Sequence, residues 1–459
     1  MMPKTAAPSS TALCGSARMR AFCGVVLLAL ALMVTPLTPA AAQTLLRDAE
    51  TERALRELAR PVIAAAGLSP SQIRMIVIRD STPNAFVIDG RAIFLTSGLI
   101  LKMDRVEMLQ AVIAHEVAHI ANGHITRRMS NIRAARTVAL FGLALSAAVA
   151  SQSPAAAAGV AAGSQSAAMR SFFAHTRAEE IAADQSGIRY LARANIDPAG
   201  MTEVLELFRG QEALSPGRQD PYVRTHPLSA DRLRAVKGFV AAFREADKAD
   251  PTAQYWFTRS KAKLSAFLRN PSWTLRRLKK GDTSDAALVA RAVANSQGAN
   301  GAAAVAAADA LIDKRPSDPY AHELKGWALF NARQFSAAVA AYAKAADLAP
   351  SEPLIATGYG RALLAAGGND ARALDVLTKA RARDPYNPAL LRDLAQVQAK
   401  LGQRGAASLS TAERYALAGR LKDAAIHAKR ATDLLSRGSS GWRRAQDIVN
   451  AAETQARRN

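Results

Sequence analysis

Cysteine is almost absent from this chain: its 459 residues hold two, Cys14 and Cys23, both close to the start. A disulfide framework is therefore excluded for everything that follows. Aromatic residues make up only 5% of the chain, too few for the stacking platforms of single-stranded nucleic-acid binders. Acid is also scarce, with 38 Asp and Glu against 60 Lys and Arg, a net charge of +22. A surface so basic is drawn to anionic partners such as membrane headgroups or acidic proteins. Long apolar runs are missing as well. Ala21 to Val34 stops before Pro36, and Thr137 to Val149 stops at Ser151-Gln-Ser-Pro; both are shorter than the ~20 residues a membrane span needs.

The first of these runs reads as an export signal. Lys4, Arg18 and Arg20 precede it without any acid, and Ala40-Ala41-Ala42 before Gln43 offers a small-residue cleavage site. Cys23 follows Arg20-Ala21-Phe22, a poor context for lipid attachment. Cleavage after Ala42 removes both cysteines and three cations, so the net charge falls from +22 to +19. An exported chain of this kind is expected in the periplasm, in contact with anionic membrane surfaces and not with nucleic acid. The stretch 137–168 is expected to be a buried or membrane-contacting helix followed by a loop near the active site.

Along the chain, Leu45 to Ala66 has a helical pattern and Ile73 to Arg79 a β-branched strand pattern. Two further β-prone runs between Ser81 and Thr96 meet at Asp89-Gly90, a hairpin signal. Helical patterns return at Thr176 to Ala192, Pro198 to Gln211 and Asp231 to Asp247, with a loop at Gln219 to Ser229. Asp250 to Asp285 reads as a basic, Trp-containing connection carrying Arg276-Arg-Leu-Lys-Lys. Beyond it the chain becomes Ala-rich and periodic. Asp318-Pro319, Glu352-Pro353 and Asn387-Pro388 recur at intervals of 34 and 35 residues, and Gly326 and Gly360 put small residues where paired helices cross. That period resembles the tetratricopeptide repeat.

Chemistry is concentrated in His115-Glu116-Val117-Ala118-His119. The surrounding Met108 to Ile120 contains no Gly or Pro and reads as a buried helix, so residues four apart share a face. Both imidazoles can then reach one metal ion, and Glu116 can reach a metal-bound water as general base. A third ligand must come from later in the chain. Glu180 and Asp184, again four apart, offer one carboxylate for the metal and another for the free N–H of a ligand histidine. His124, five residues after His119, differs in direction from the ligand face by roughly 140° at about 100° per residue.

The order His115-Glu116-x-x-His119, then Arg177-x-x-Glu180-x-x-Ala183-Asp184-x-x-Gly187, then Thr225-His226-Pro227-Leu228-x-x-Asp231-Arg232, resembles the M48 family of zinc metallopeptidases. A signal peptide before and repeats after resemble exported members of that family. The resemblance implies an α+β, mainly α-helical fold: a zincin-like metalloprotease domain with a small sheet, then an all-α repeat solenoid. It implies one Zn²⁺ per chain held by His115, His119 and Glu180, with Asp184 orienting a ligand histidine. It also implies that His226 can take the fourth metal position and hold the enzyme latent; without the family, a histidine in a Pro-containing loop is more often exposed. Arg232 is expected to pair with a carboxylate or to stabilise an oxyanion. Asn84-Ala85-Phe86 matches the edge strand on which extended substrate would pair. The expected organisation is a signal peptide at 1–42, protease at 43–265, basic linker at 266–284, repeats at 285–435 and a tail at 436–459. The expected activity is endopeptidase cleavage of stalled or misfolded outer-membrane proteins, the repeats docking substrate or assembly machinery. The rival reading is a chaperone or scaffold acting through the repeats.

Overall fold

A computed structural model describes residues 45–88, 90–126, 177–215, 218–243 and 250–457. The expected signal peptide, the stretch 137–168 and Asp89 of the hairpin turn lie outside these residues.

A four-stranded sheet and the helices packed on it form the first half. Strands β1 (Leu45–Leu46), β2 (Arg74–Ile78), β3 (Ala85–Val87) and β4 (Ala92–Thr96) lie in the order β1-β2-β4-β3. β2 runs parallel to β4, and β3 runs back antiparallel to β4 with Ala85 opposite Leu95 and Val87 opposite Ile93. The backbone N–H of Thr96 donates to Asn84 O at 2.9 Å, so alternate residues of this strand bond β4. Ala85 and Val87 therefore turn their peptide groups to the open edge.

The helix Ala49–Ala65 begins at Asp48, whose side chain accepts from Thr51 N, and buries Leu55, Leu58, Val62 and Ile63. These meet Ile93 and Leu95 of β4 and Leu109, Val112, Ile113 and Val117 of the helix Val106–Ala121 in one apolar core. Val106–Ala121 is buried almost throughout, as expected from a sequence apolar on more than one face. Residues 177–193 form a second helix against it. Gly187 makes that approach possible: a Cβ there would sit 3.3 Å from His115 N and Ala114 C.

Residues 266–284, expected as a basic linker, are partly helical. They carry the end of an 18-residue helix, Pro251–Leu268, and a further helix, Pro271–Arg277. Residues 436–459 likewise carry the helix Ser440–Ala456. Two residues of Pro251–Leu268, Arg259 and Lys263, are each 1% exposed. Arg259 pairs with Glu50 and Asp318. Lys263 Nζ lies 2.7 Å from Asp48, 3.1 Å from Glu50 and 3.5 Å from Glu323. Cations that read locally as solvated linker charge are thus buried between carboxylates of the first helix and of the first clear repeat. Arg56 to Glu352 at 2.7 Å and Arg47 to Asp384 at 2.8 Å extend the same joint, and Thr44–Asn459 forms a single compact unit.

The repeats are helical hairpins: Pro319–Asn331 with Phe335–Leu348, Pro353–Ala366 with Asp370–Arg383, and Pro388–Lys400 with Arg404–Leu417. Each recurring dipeptide has a structural duty. Asp318, Glu352 and Asn387 are N-caps whose side chains accept from the backbone, and the following prolines open the helices. The recurring glycines mark close crossings: a Cβ on Gly326 would meet the Tyr342 ring at 2.8 Å, and one on Gly360 would meet Leu377 at 2.5 Å. Asp285–Gln297 with Gly301–Lys314 precede these pairs, and Leu421–Leu434 and Ser440–Ala456 follow them, so the described pairs have helical neighbours on both sides. Among the described residues no helix is long and apolar enough to cross a membrane.

Candidate metal centre

His115 and His119 lie one turn apart on Val106–Ala121 and present their Nε2 atoms 3.0 Å from each other. Glu180, on the 177–193 helix, puts Oε2 3.2 Å from His115 Nε2 and Oε1 3.3 Å from His119 Nε2. His226 closes the group, its Nδ1 3.1 Å from His115 Nε2 and 3.1 Å from Glu180 Oε2. All four side chains are buried, and one ligand atom from each falls within 4.8 Å of the others. A tetrahedral ion with bonds near 2.0 Å has ligand–ligand edges of about 3.3 Å, so these spacings suit a single small cation.

The ring protons reinforce that reading. Asp184 Oδ1 lies 2.9 Å from His115 Nδ1, and an ionised carboxylate only accepts, so Nδ1 carries the proton and Nε2 keeps its lone pair. His124 Nδ1 lies 3.0 Å from His119 Nδ1, so one of these two nitrogens carries the shared proton. Ala85 O, 3.1 Å from His226 Nε2, accepts from that nitrogen, so in the neutral ring Nδ1 is the one that keeps its lone pair toward the cluster. Three imidazole nitrogens and a carboxylate facing one another suit a cation.

Electrostatics agree. Burial alone would make His226 less basic, but Glu180 and Glu116 outweigh it and the ring is pushed up to about 10. Burial would likewise raise Glu180, yet His226, Arg232, His115 and His119 hold it well below the usual carboxylate range. The pocket calls for positive charge, and a divalent metal answers that call while leaving the imidazoles neutral. Glu116 is fully buried, and among the described residues its contact is with His226, whose Nε2 lies 3.2 Å from Oε1. A buried carboxylate beside the cluster, held there ionised, is placed to receive a proton.

Arg232 is 3% exposed and pairs with carboxylates. Its Nε and Nη2 donate to Asp184 at 2.6 and 2.9 Å, and Nη1 lies 3.0 Å from Glu180. It also donates to His226 O and Pro227 O at 3.3 and 3.2 Å, so one guanidinium fixes the third ligand, the orienting acid and the His226 turn together.

His226 is not exposed: it is 4% accessible and stacks against Tyr222 with ring centres 4.9 Å apart. The expected loop before it contains a short helix, Pro221–Thr225, opened by a proline. That helix lies along β3. Tyr222 N donates to Pro83 O at 3.1 Å, and Thr225 Oγ1 donates to Asn84 Oδ1 at 3.0 Å. Asn84 itself precedes the strand, Ala85 faces outward, and Phe86 faces β4, stacking on Phe94 at 5.3 Å.

His124 is the residue that spacing misplaced. The helix ends at Ala121, Asn122 caps it and Gly123 has φ +67°, so continuing 100° per residue past that point aims His124 wrongly. The Asn-Gly pair directly after the motif was the available signal.

Residues 47–240, which include all of these groups, match the family described as Peptidase family M48. The chain is 29% identical over 195 residues to the putative beta-barrel assembly-enhancing protease of Vibrio cholerae, covering 42% of this chain and 39% of that one. It is 27% identical over 189 residues to the beta-barrel assembly-enhancing protease of Escherichia coli K12, covering 41% and 39%. With the mitochondrial metalloendopeptidase OMA1 of Schizosaccharomyces pombe it shares 28% identity over 179 residues, covering 38% and 49%. The matches thus span from about two-fifths to half of these relatives' lengths. With this ligand set and this match, the chain carries a metallopeptidase domain of family M48 over residues 47–240.

Proposed function

We propose that this chain is an exported, periplasmic zinc endopeptidase that cleaves misfolded or stalled outer-membrane proteins, its repeats docking substrate or the assembly machinery. The observation that carries the reading is the convergence of His115, His119, Glu180 and His226 at 3.0 to 3.3 Å beside the buried carboxylate of Glu116. The envelope setting is supported by relatives named for beta-barrel assembly.

His115, His119 and Glu180 would hold the zinc, which when bound supplies a Lewis acid for the scissile carbonyl and lowers the pKa of a coordinated water. Asp184 keeps the His115 ring in the required tautomer, and His124 abuts the His119 ring on the side away from the cluster. Glu116 takes a proton from the attacking water and hands it to the leaving amine. His226 in the fourth position is the resting state. Substrate backbone would pair with the outward peptide groups of Ala85 and Val87, but His226 Nε2 occupies Ala85 O and Tyr222 N occupies Pro83 O. One displacement of the 221–226 segment would therefore clear both the ion and the strand.

The test is Glu116→Gln assayed on an unfolded outer-membrane protein. Zinc content should be unchanged and cleavage should fall by roughly 10²- to 10⁴-fold, the usual contribution of a general base. Undiminished proteolysis rejects the mechanism. Full rescue of a deletion strain by the same variant would favour the repeats acting as a chaperone.

A further inference from the structure

From Pro251 to Gly281 the chain contains no acidic residue, yet it carries eight cations. Three have acidic partners: Arg259 and Lys263 in the buried joint, and Lys261 at 3.7 Å from Asp104. The other five are Arg269, Arg276, Arg277, Lys279 and Lys280. All five are exposed, and among the described residues none forms an ion pair. That contrasts with the joint, where every buried cation meets carboxylates.

Apolar groups sit among the five. Arg269 and Arg277 each lie 4.1 Å from the centre of the Trp273 ring, and Leu275 is 37% exposed. The presenting helix, Pro271–Arg277, is firmly anchored. Asn270 caps it, Thr274 is buried, and Leu278 packs on the core of the first helical pair of the solenoid. Unpaired cations around an amphipathic indole and an exposed leucine are the composition of a surface that sits on anionic lipid, the charges at the headgroups and the apolar groups just beneath.

We propose that residues 269–280 form a peripheral docking surface for an anionic phospholipid bilayer, holding the protease against the membrane independently of the metal centre. The surface lies outside the 47–240 domain, so it belongs to the joint between protease and repeats. Lipid is favoured over a soluble polyanion because Trp273 and Leu275 add nothing to a purely ionic contact.

The test is flotation of the full chain with vesicles of phosphatidylcholine alone or with phosphatidylglycerol added. Binding should require phosphatidylglycerol and weaken as salt shortens the Debye length from about 10 Å at 0.1 M toward 3 Å at 1 M. Each basic residue near such a surface adds roughly fivefold. The exposed quadruple variant Arg276→Gln, Arg277→Gln, Lys279→Gln, Lys280→Gln should therefore bind on the order of several hundredfold more weakly, with zinc content and peptidase activity unchanged. The double variant Trp273→Gln, Leu275→Gln should lose several-fold on vesicles and nothing on heparin. Brominated lipid should quench tryptophan fluorescence in the parent chain, with less quenching in Trp273→Phe. Absence of flotation, or flotation by the quadruple variant equal to the parent, overturns the proposal. If the double variant binds vesicles as the parent does, the partner is a polyanion and the lipid assignment falls.

Discussion

Replacing Asp184 by asparagine changes one charge and almost no volume, and the surroundings make the cost of that change calculable. Asp184 accepts from His115 Nδ1 at 2.9 Å and from Arg232 at 2.6 and 2.9 Å. An amide has one oxygen for these three donors. If its NH₂ turns to Arg232, two donors oppose each other; if it turns to His115, the ring must move its proton to Nε2 and lose the lone pair that binds metal. Arg232 then keeps only Glu180, at 3.0 Å, as a carboxylate partner, and pulls on the third ligand. Loss of such an orienting group weakens metal binding by about 10- to 100-fold, equal to roughly 1.4 to 2.7 kcal/mol. Breaking a buried charge pair costs about 3–5 kcal/mol of folding stability in addition. Zinc affinity measured against a competing chelator, and denaturant unfolding of the metal-free protein, separate the two effects. Asp184→Asn with affinity within about twofold of the parent and an unshifted unfolding midpoint would refute the assignment of Asp184 as the group orienting His115.

Three further outcomes are expected. His226→Ala should raise basal peptidase activity, because the fourth position and Ala85 O are freed together; a fall to zero with zinc retained would make His226 catalytic instead. Arg259→Met should cost about 3–5 kcal/mol in denaturant unfolding by leaving Glu50 and Asp318 facing each other without their shared cation, whereas exposed Arg443→Met should be nearly silent. Burial, with Asp48 and Glu50 adding to it and Lys263 opposing, pushes Glu323 up from 4.5 to about 7. Its folded value exceeds its unfolded one, so the stability it contributes is complete below about pH 4.5 and is lost as pH rises through 7. Across that window the parent should lose stability relative to Glu323→Gln, and parallel curves would count against a protonated Glu323 in the joint.

The grouping of the candidate site was legible where its geometry is local. His115 and His119, like Glu180 and Asp184, are pairs on a single helix, and 3.6 residues per turn fixes which side chains share a face. The repeats were legible for the same reason, since caps and prolines recur with each hairpin. Where the deciding contact comes from far along the chain, the sequence was silent. Arg259 and Lys263 read as linker charge because their carboxylates lie more than 50 residues away, at Asp48, Glu50, Asp318 and Glu323. His124 was misplaced because one Gly in the left-handed region redirects the chain after a correctly read helix. The segment 221–226 read as loop because five helical residues opened by a proline leave no periodicity to detect.

The joint also sets an order of assembly. Arg47 meets Asp384 across 337 positions, Arg56 meets Glu352 across 296 and Glu50 meets Arg259 across 209. Helical hairpins of the solenoid close over a few tens of residues and can form as they are made, whereas these contacts wait for chain far downstream. During synthesis the first strand and helix therefore carry Asp48 and Glu50 without their cations until Pro251–Leu268 has appeared, and the segment that comes first is among the last to be locked. A chain truncated within the second repeat pair, before Asp384, would complete its metal helix but leave Arg47 with no repeat to hold, so N-terminal proteolysis would report how far assembly had gone.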